Sequence, residues 1–581
     1  MSENPANLLS IPSLIASFEA KHPKIVHFFH SRWRFAFYLP AYLLLLTLIH
    51  YIFAFSPTPY SGSSNGWASP EKKVAFIILL ELFFAFVAVW LILNFMAKRL
   101  TSRKIAFAFV LVSSAILILF SFLRYMNFAG YKHDWGANDP DGHFAIIYDI
   151  FNTGKIPDQD LTRGQYYQPK FWHALMALCM KINSLFIHAP EGNALVTPAV
   201  LTFPLYDYQQ YALLESCRIW INFYGTLSLY FLYRIYVRLF EKGLKLCIAS
   251  AFLAITPVFW YVPFYGNNDS LSFAFALMGL LFALEYRKSK SFVDIILSGV
   301  GIGLGMMCKL SNALVALPVA FIFVLELIER IKGKGEGEKF FSGERKRFFF
   351  QILIFAIVVF PLGLGLHVYN RVAFGEPIGY VLDLEWSTGE FRQNFMHIDS
   401  AVYNPFQRFF SFPQADLWFS MFNLRYCQTR VDGWWVSAWG EQDFNVWTAF
   451  LKTALWGEST LSLSSAGLVF ASIAYYFYII AGIFFLIFLV LYTVKAVLDH
   501  KSDYFLYGLM AITFISVAAS YIYFSAKYPV GCSMNARYAL LLFIPIQVVL
   551  ASGFVDLGRL LGKLRCRIKA RSQKEKNEDG E

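Results

Sequence analysis

Long apolar stretches separated by short polar ones run through most of the sequence. A helix needs about 20 mostly apolar residues to cross about 30 Å of hydrocarbon at about 1.5 Å per residue. Twelve stretches meet this requirement, near residues 35–55, 74–96, 105–126, 217–240, 246–263, 268–286, 292–308, 310–329, 348–370, 467–494, 503–524 and 538–556. The pattern therefore predicts an all-α polytopic membrane protein with about 12 transmembrane helices.

Two long connections interrupt this pattern, at residues 127–216 and 371–466. In the first, apolar residues recur at helical spacing from His143 to Thr153, and Gly154 follows, as is typical of a helix end. A second apolar run covers Ala174 to Cys179. Short amphipathic helices lie along a membrane surface, so the sequence predicts interfacial helices in the first long outer loop.

The composition fits a bilayer rather than water as the main solvent. Of the 581 residues, 57% are hydrophobic and 15% are charged, whereas soluble proteins carry roughly 25% charged residues. This excludes a string of soluble domains and a disordered chain. The seven cysteines are scattered and have no partners at metal-ligand spacing, so they indicate neither a zinc site nor a disulfide framework.

The net charge of +11 would suggest a nucleic-acid partner in a soluble protein. Here, about 32 of the 50 Lys and Arg residues fall in the connections that are cytoplasmic if the N-terminus is cytoplasmic. Those connections are shorter in total than the ones on the other side, so the bias predicts this orientation. We therefore interpret the basic runs as topological anchors and expect no nucleic-acid partner, with both long loops outside.

The predicted spans divide the chain into four parts. Residues 1–104 hold an N-terminal cytoplasmic segment and two transmembrane helices, and residues 105–370 hold a transmembrane core with the outer loop 127–216. Residues 371–466 form an outer loop or lid, and residues 467–581 form C-terminal transmembrane helices and a basic cytoplasmic tail. The loop 371–466 is rich in Trp, which is compatible either with a carbohydrate-binding surface or with a packed lid. The sequence does not decide between the two.

Three carboxylates stand close together at the start of the first outer loop, at Asp134, Asp139 and Asp141. Asp, Pro and Gly are common turn formers, so a solvated turn is one interpretation. A carboxylate beside the membrane surface could instead accept a proton in catalysis. The spacing of Asp139 and Asp141 could also hold a divalent cation through oxygen ligands.

Several short motifs follow one another in order along the chain. They are Asp141-Gly142-His143, Gly154-Lys155-Ile156-Pro157, Tyr166-Tyr167-Gln168-Pro169, Gly266-Asn267-Asn268-Asp269, Gly305-Met306-Met307-Cys308-Lys309, Trp456-Gly457-Glu458 and Asn535-Ala536-Arg537-Tyr538. In this order the sequence resembles the GT-C superfamily, the integral-membrane glycosyltransferases that use polyprenyl-phosphate-linked sugars. The resemblance is to the protein mannosyltransferase-like and aminoarabinose-transferase-like branch. It covers about residues 105–560, and Lys170 stands where many relatives have a second proline.

The resemblance implies a GT-C-like fold in which residues 105–370 are the catalytic core and the first two helices are an addition. It also implies a glycosyltransferase that moves a monosaccharide from a polyprenyl-phosphate carrier to an acceptor hydroxyl on the non-cytoplasmic face. One alternative is a ligase or polymerase of lipid-linked glycans. Another is a transporter, or flippase, of lipid-linked saccharide, which predicts inverted repeats and broken helices. The sequence pattern indicates neither feature.

Sugar transfer from a lipid phosphate needs a proton acceptor for the hydroxyl and positive charge on the departing phosphate. We expect Asp141 to be the base, with Asp139 and Asp134 as the next candidates. Lys309 and Arg537, at the outer ends of predicted helices, match basic positions of the family and would bind the phosphate. The alternative for each cation is a snorkelling membrane anchor.

A further set of polar and aromatic residues is expected to contact donor or acceptor. It comprises His143, Tyr167, Gln168, Lys170, His173, Asn268, Asp269 and Glu458. Other interpretations stay open: residues 267–269 could simply cap the helix that starts at Ser270, the two histidines could make structural hydrogen bonds, and aromatic residues are common at any membrane interface.

The resembled branch uses monophosphate donors and generally works without a metal at this site. We therefore expect no obligatory cofactor, with a divalent metal as an alternative at Asp139 and Asp141. The expected partners are the polyprenyl-phosphate-linked sugar, an unidentified protein, glycan or lipid acceptor, and the membrane itself. Composition and loop style indicate a bacterial cytoplasmic membrane, and the distribution of Lys and Arg indicates that the active site faces outside.

Overall fold

The computed structural model describes most of the chain beyond residue 69. The described residues are 70–125, 143–160, 166–185, 217–332, 343–378, 405–412, 426–431, 434–439, 445–457, 465–498, 504–528 and 531–578, together with Lys21 and Pro23. Within them the structure is almost entirely helical. The one sheet in these ranges is an antiparallel hairpin of β1, Tyr426–Val431, and β2, Trp434–Trp439, in which Val431 faces Trp434. This hairpin, within the connection 371–466, is an exception to the predicted all-α fold.

The helices are numbered along the chain. They are α1 Pro70–Met96, α2 Ser102–Tyr125, α3 His143–Thr153, α4 Phe171–Asn183, α5 Arg218–Phe240, α6 Leu244–Ile255, α7 Val258–Tyr261, α8 Asp269–Ser289, α9 Phe292–Cys308, α10 Ala316–Lys332, α11 Gly343–Phe374, α12 Pro405–Phe410, α13 Val446–Trp456, α14 Ser465–Leu498, α15 Tyr504–Lys527 and α16 Phe543–Glu578. Short 3-10 helices cover Val262–Tyr265, Leu310–Val315, Gly531–Met534 and Ala536–Leu542.

Seven helical segments in the described ranges are long and apolar enough to cross a membrane. They are Ser102–Leu119, Asp269–Ser289, Leu310–Lys332, Gly343–Phe374, Ser465–Leu498, Tyr504–Lys527 and Ala536–Ala570, and shorter apolar helices cover Leu80–Met96, Leu244–Ile255 and Phe292–Cys308. The protein is therefore a multi-pass membrane protein. The predicted span near 35–55 lies outside the described residues, so the count of twelve stays a prediction. The other eleven predicted spans each coincide with a helix or a pair of consecutive helices.

One predicted span is not continuous. The stretch 246–263 ends as a helix at Ile255, and Thr256 adopts an extended backbone conformation with ψ of 107° before Pro257. A residue before proline is pushed away from helical geometry, because the proline ring crowds its backbone. The chain then continues as the short helix α7 and a 3-10 turn. The predicted span 246–263 is therefore a helix followed by two short helical segments rather than one continuous helix.

The glycine-rich helix α9 packs closely against α8. A Cβ atom at Gly301 would lie 2.6 Å from the backbone nitrogen of Gly279, so the two backbones meet where neither helix carries a side chain. A Cβ at Gly305 would overlap the side chain of Asn312, which folds back from the next 3-10 turn. Small residues permit this approach of membrane helices. The contact brings the end of α9 beside the start of α8.

Helices are present at both predicted positions of the first long loop, and Gly154 ends α3 with a φ of +66°. Their apolar sides contribute to a buried cluster that includes Ile146 and Trp172, both fully buried, and the first residues of α5 and α8. The helices thus cover one end of the bundle. At the far end of α8, buried Glu326 accepts hydrogen bonds from Lys290 and from Nε of Arg330, the latter at 2.8 Å.

Candidate functional site

Three charged side chains from separate parts of the chain meet at one end of the bundle. Asp269 is the first residue of α8, Lys309 directly follows α9, and Arg537 lies in the 3-10 turn before α16. Lys309 Nζ donates a hydrogen bond to Asp269 Oδ1. The Nε of Arg537 is 3.8 Å from Asp269 Oδ2. The single negative charge of Asp269 therefore lies between two positive charges, so the three side chains together carry a net positive charge.

Tyr538 completes this cluster, although it was not among the predicted site residues. Lys309 Nζ is 4.6 Å from the centre of its ring, and the guanidinium carbon of Arg537 is 5.2 Å from it. A cation above an aromatic face is attracted by the ring's negative surface. One guanidinium nitrogen of Arg537 also donates to the Tyr538 hydroxyl at 3.3 Å. The sequence signal that could have identified Tyr538 is its position directly after Arg537.

The backbone around each charge is held by a neighbouring side chain or carbonyl. Asn267 Oδ1 accepts from the amide of Asp269 at 3.0 Å, and Asn535 Oδ1 accepts from the amide of Arg537 at 2.8 Å. The Lys309 amide bonds the carbonyl of Gly305 at 2.9 Å. Residue 267 therefore orders the start of the helix, whereas the Asp269 side chain is committed to the cations.

A cavity of about 40 Å³ opens between these side chains. Its polar lining includes Ser272 and Asn312 besides the three charged residues. Its apolar lining comes from several elements and includes Phe273, Val517 and Leu540. The Asp269 side chain is 4% exposed, but those of Lys309 and Arg537 are 20% and 17% exposed. The cations are thus partly open to the cavity, while the carboxylate is buried behind them. With two positive charges and one negative charge, the cluster favours an anion.

Asn268 connects the first long loop, residues 127–216, to this cluster. Its side-chain amide donates to Gln168 Oε1 at 2.8 Å and to the carbonyl of Cys308 at 2.6 Å. It makes no side-chain capping bond to α8. The predicted site residues Gln168, Asn268 and Asp269 are therefore brought together, and the loop segment 166–170 lies beside the end of α9.

His143 and His173 form a pair beside the cluster. Nδ1 of His143 lies 2.8 Å from Nε2 of His173, and the ring centres are 5.0 Å apart. Burial lowers the pKa of His143 to about 3; the Asp269 carboxylate opposes this shift, and Lys309 and Arg537 add to it. Burial, with help from His143, also holds the pKa of His173 well below its ordinary value. Both rings are therefore neutral near pH 7, and one N–H joins them.

Lys170 lies in a buried network of the same loop rather than at the cations. Its ammonium donates to Gln159 Oε1 at 2.5 Å and to the carbonyl of Tyr166 at 2.7 Å. Burial lowers the pKa of Lys170 to about 8, and Asp158 and Asp160 oppose the shift. Gln159 also donates to the carbonyl of Tyr167 at 2.5 Å. Lys170 thus holds the loop together.

Four of the predicted site residues lie outside the described residues: Asp134, Asp139, Asp141 and Glu458. Their roles stay predictions. Among the described residues no group of three or more His, Cys, Asp or Glu side chains is arranged to hold a metal ion. The alternative metal site at Asp139 and Asp141 falls in the undescribed part of the first loop and also stays a prediction.

A family profile described as dolichyl-phosphate-mannose-protein mannosyltransferase matches residues 214–334, about a fifth of the chain. This segment contains Asn268, Asp269, Lys309 and the glycine-rich helix. The resemblance to the GT-C integral-membrane glycosyltransferases is thereby confirmed for the segment that carries these residues. A sequence comparison with curated proteins found no match.

The chain is also similar to solved structures, among them two of ArnT from Cupriavidus metallidurans. The chain shares 13% identity with the form bound to undecaprenyl phosphate, over 72% of this chain and 73% of that one, with a TM-score of 0.28. It shares 14% identity with the apo form over the same shares of both chains, with a TM-score of 0.27.

Proposed function

We propose that this protein is a glycosyltransferase that moves a monosaccharide from a polyprenyl-phosphate carrier to an acceptor hydroxyl. The observation that carries the proposal is the convergence of Lys309 and Arg537 on one cavity at the ends of membrane helices, within the reach of a lipid phosphate. A cation buried without a partner is costly near a membrane. Because the two cations share one carboxylate, the site keeps a net positive charge that can bind an anion. Two snorkelling anchors would not need to converge on one cavity.

The charge of the site suits this chemistry. A sugar linked to a lipid through one phosphate is a phosphodiester with a single negative charge. When the bond from the sugar carbon to the phosphate oxygen breaks, the electron pair stays on the phosphate, which gains a second negative charge. Lys309 supplies a point charge and Arg537 a planar fork of donors. Both would stabilise the charge as it develops in the transition state.

We propose Asp141 as the base that accepts the proton of the acceptor hydroxyl while the oxygen attacks the sugar carbon. Asp139 and Asp134 are the alternatives. Support comes from chain order, because Asp141 precedes His143 by two residues and the His143 ring responds to the charges of the site. The neutral histidine pair adds no positive charge that would compete for the carboxylate.

We place the reaction on the non-cytoplasmic face of a bacterial cytoplasmic membrane, on the basis of the distribution of Lys and Arg. Donor and acceptor contacts are assigned to Asp269, which lines the cavity, and to Asn268 and Gln168, which are hydrogen-bonded to each other. The acceptor is a hydroxyl of a protein, glycan or lipid. No metal is required by this scheme, so activity should survive a chelator, whereas its loss would favour the metal alternative at Asp139 and Asp141.

The test is sugar release from a panel of radiolabelled polyprenyl-phosphate monosaccharides by the purified protein in liposomes. Wild type is compared with Asp141→Asn and with Asp158→Asn, a control carboxylate in the same loop. Release by wild type and the control, but loss in Asp141→Asn with donor binding retained, supports both the class and the base. The same comparison with Asp139→Asn and Asp134→Asn ranks the alternatives.

Two further arms separate the competing functions. Turnover only of a diphosphate-linked glycan would instead indicate a ligase or polymerase. Appearance of labelled lipid in the opposite leaflet without sugar release would contradict the enzyme and favour the transporter.

A further inference from the structure

A second charged cavity lies at the other end of α8, far from Asp269. Glu285 stands sixteen residues after Asp269 on the same helix, which places them about 24 Å apart along the axis. The cavity has a volume of about 320 Å³. We call it the basic cleft, and its polar lining is formed by Arg103, Arg234, Arg238, Lys288, Glu241 and Glu285. The distribution of basic residues predicts that this face is cytoplasmic.

The ion pairs inside the basic cleft do not neutralise all of its positive charge. Glu285 is shared by two arginines: it bonds Arg238 and lies 3.4 Å from Arg234. Lys288 lies 3.7 Å from Glu241. Four cations and two carboxylates leave two excess positive charges. The cavity is also much larger than the volume that one water molecule occupies.

Three of these cations stand at helix ends beside the cleft. Lys288 and Arg238 stand in the last turns of α8 and α5, where a positive charge favours the helix dipole. Arg103, however, lies in the first turn of α2, where the dipole disfavours a cation. Its Nε instead donates at 2.7 Å to the carbonyl of Glu241, the residue that ends α5, so the guanidinium is held at the C-terminus of that helix and at the rim of the cleft.

A donor in the cleft also lacks a protein partner. The Nε of Arg238 is buried and makes no hydrogen bond to any group in the described part of the chain. The same holds for one terminal nitrogen of Arg287, which lines the neighbouring cavity. Buried donors of charged groups are normally satisfied, so an oxygen-rich ligand is a suitable partner for both.

The neighbouring cavity supplies an apolar wall beside these charges. It has a volume of about 290 Å³ and shares Arg238 and Lys288 with the basic cleft. Its other lining residues include Leu239, Leu284 and Phe505. A cationic recess that continues into an apolar one at a membrane face matches a phosphate attached to acyl chains better than it matches a free anion.

We propose that the basic cleft binds the phosphate headgroup of an anionic phospholipid. The phosphate oxygens would accept from Arg238 and its cationic neighbours, and the glycerol and upper acyl carbons would lie along the apolar wall. Basic pockets between membrane helices on this face suit such headgroups. This site is separate from the proposed catalytic cavity, and the proposal does not depend on the glycosyltransferase assignment.

The test is a titration of the delipidated protein with short-chain phosphatidylglycerol, followed by native mass spectrometry. Phosphatidylcholine with the same chains and inorganic phosphate are the comparison ligands. The double variant Arg103→Gln with Lys288→Gln removes both excess charges of the cleft. Arg103→Lys with Lys288→Arg keeps them. The matched control is Lys563→Gln with Lys569→Gln, two exposed positions on α16 outside the cleft.

One phosphatidylglycerol should bind more tightly than phosphatidylcholine. Each basic residue near an anionic lipid contributes a factor of about 5, so the neutralising double variant should weaken binding about 30-fold. The charge-retaining variant and the control should bind as wild type does. Equal affinity for both lipids, or equal weakening in the control, would overturn the proposal. Inorganic phosphate that displaces the lipid at similar concentration, with the same dependence on the variants, would overturn the assignment to a lipid.

Discussion

Replacement of Asp269 by Asn tests the charge logic of the candidate site directly. The substitution keeps the shape of the side chain but removes the carboxylate that Lys309 and Arg537 share. Removing one partner of a buried ion pair costs about 3–5 kcal/mol. Because Lys309 remains one-fifth exposed, water screens part of the repulsion. We therefore expect a loss of about 3 kcal/mol in the free energy of unfolding, at the lower end of that range.

A phosphate in the site should reverse much of this loss, because the ligand supplies the missing negative charge. A ligand at a hundred times its Kd stabilises a folded protein by about 2.7 kcal/mol. Asp269→Asn should be stabilised by a polyprenyl phosphate more than wild type is, by a margin that approaches the energy lost. The assay is unfolding in detergent with and without the lipid phosphate, compared with the same detergent and a neutral polyprenol.

Glu326→Gln is the matched control. Glu326 is also buried and also pairs with two cations, Lys290 and Arg330, but at the opposite end of α8. This variant should lose similar stability and gain no extra stabilisation from polyprenyl phosphate. If the lipid phosphate stabilises Asp269→Asn no more than wild type, or rescues both variants equally, the two cations of the cavity do not hold the phosphate.

Three further predictions follow from the same geometry. Lys309→Gln and Arg537→Gln should each lower sugar release about 100-fold by removing charge from the departing phosphate; unchanged single-turnover rates would contradict this role. The pKa of His143 is lowered to about 3, so stability should be lost as pH falls from about 6.5 towards 3, by about 1.4 kcal/mol per pH unit. His143→Gln should flatten that dependence in unfolding measurements, and an unaltered slope would refute it. Asn268→Ala should cost about 2 kcal/mol because the buried carbonyl of Cys308 loses its donor, as measured by denaturant titration; wild-type stability would show that the bond contributes little.

Most of the membrane architecture followed from the sequence because its physical cause is local. Any stretch of about 20 apolar residues must form a helix in lipid, so the helix ends fall near the predicted positions. The break before Pro257 was missed because the surrounding residues are as apolar as in a continuous span. The hairpin of Tyr426–Val431 and Trp434–Trp439 was missed because it lies in a long loop without a clear alternating pattern.

The candidate site was only partly predictable. The predicted topology placed Lys309 and Arg537 on the same side of the membrane. The ion pair of Lys309 with Asp269, however, joins residues 40 positions apart and depends on how α8 and α9 pack. For Asn268 and Asp269, capping and ligand contact were equally supported. The structure shows that residue 267 holds the backbone, which leaves the next two side chains for other contacts.

The glycine contact between Gly279 and Gly301 changes how variants of this protein should be interpreted. A methyl group at either position forces the two helices apart in the middle of the bundle. The displacement would be carried along α9 to Lys309, which lies eight residues beyond Gly301. In a genetic screen, such a variant would be inactive although every charged side chain of the cavity is intact. A map of sensitive positions would therefore trace a stripe along two helices and would not stop at the residues that touch the ligand.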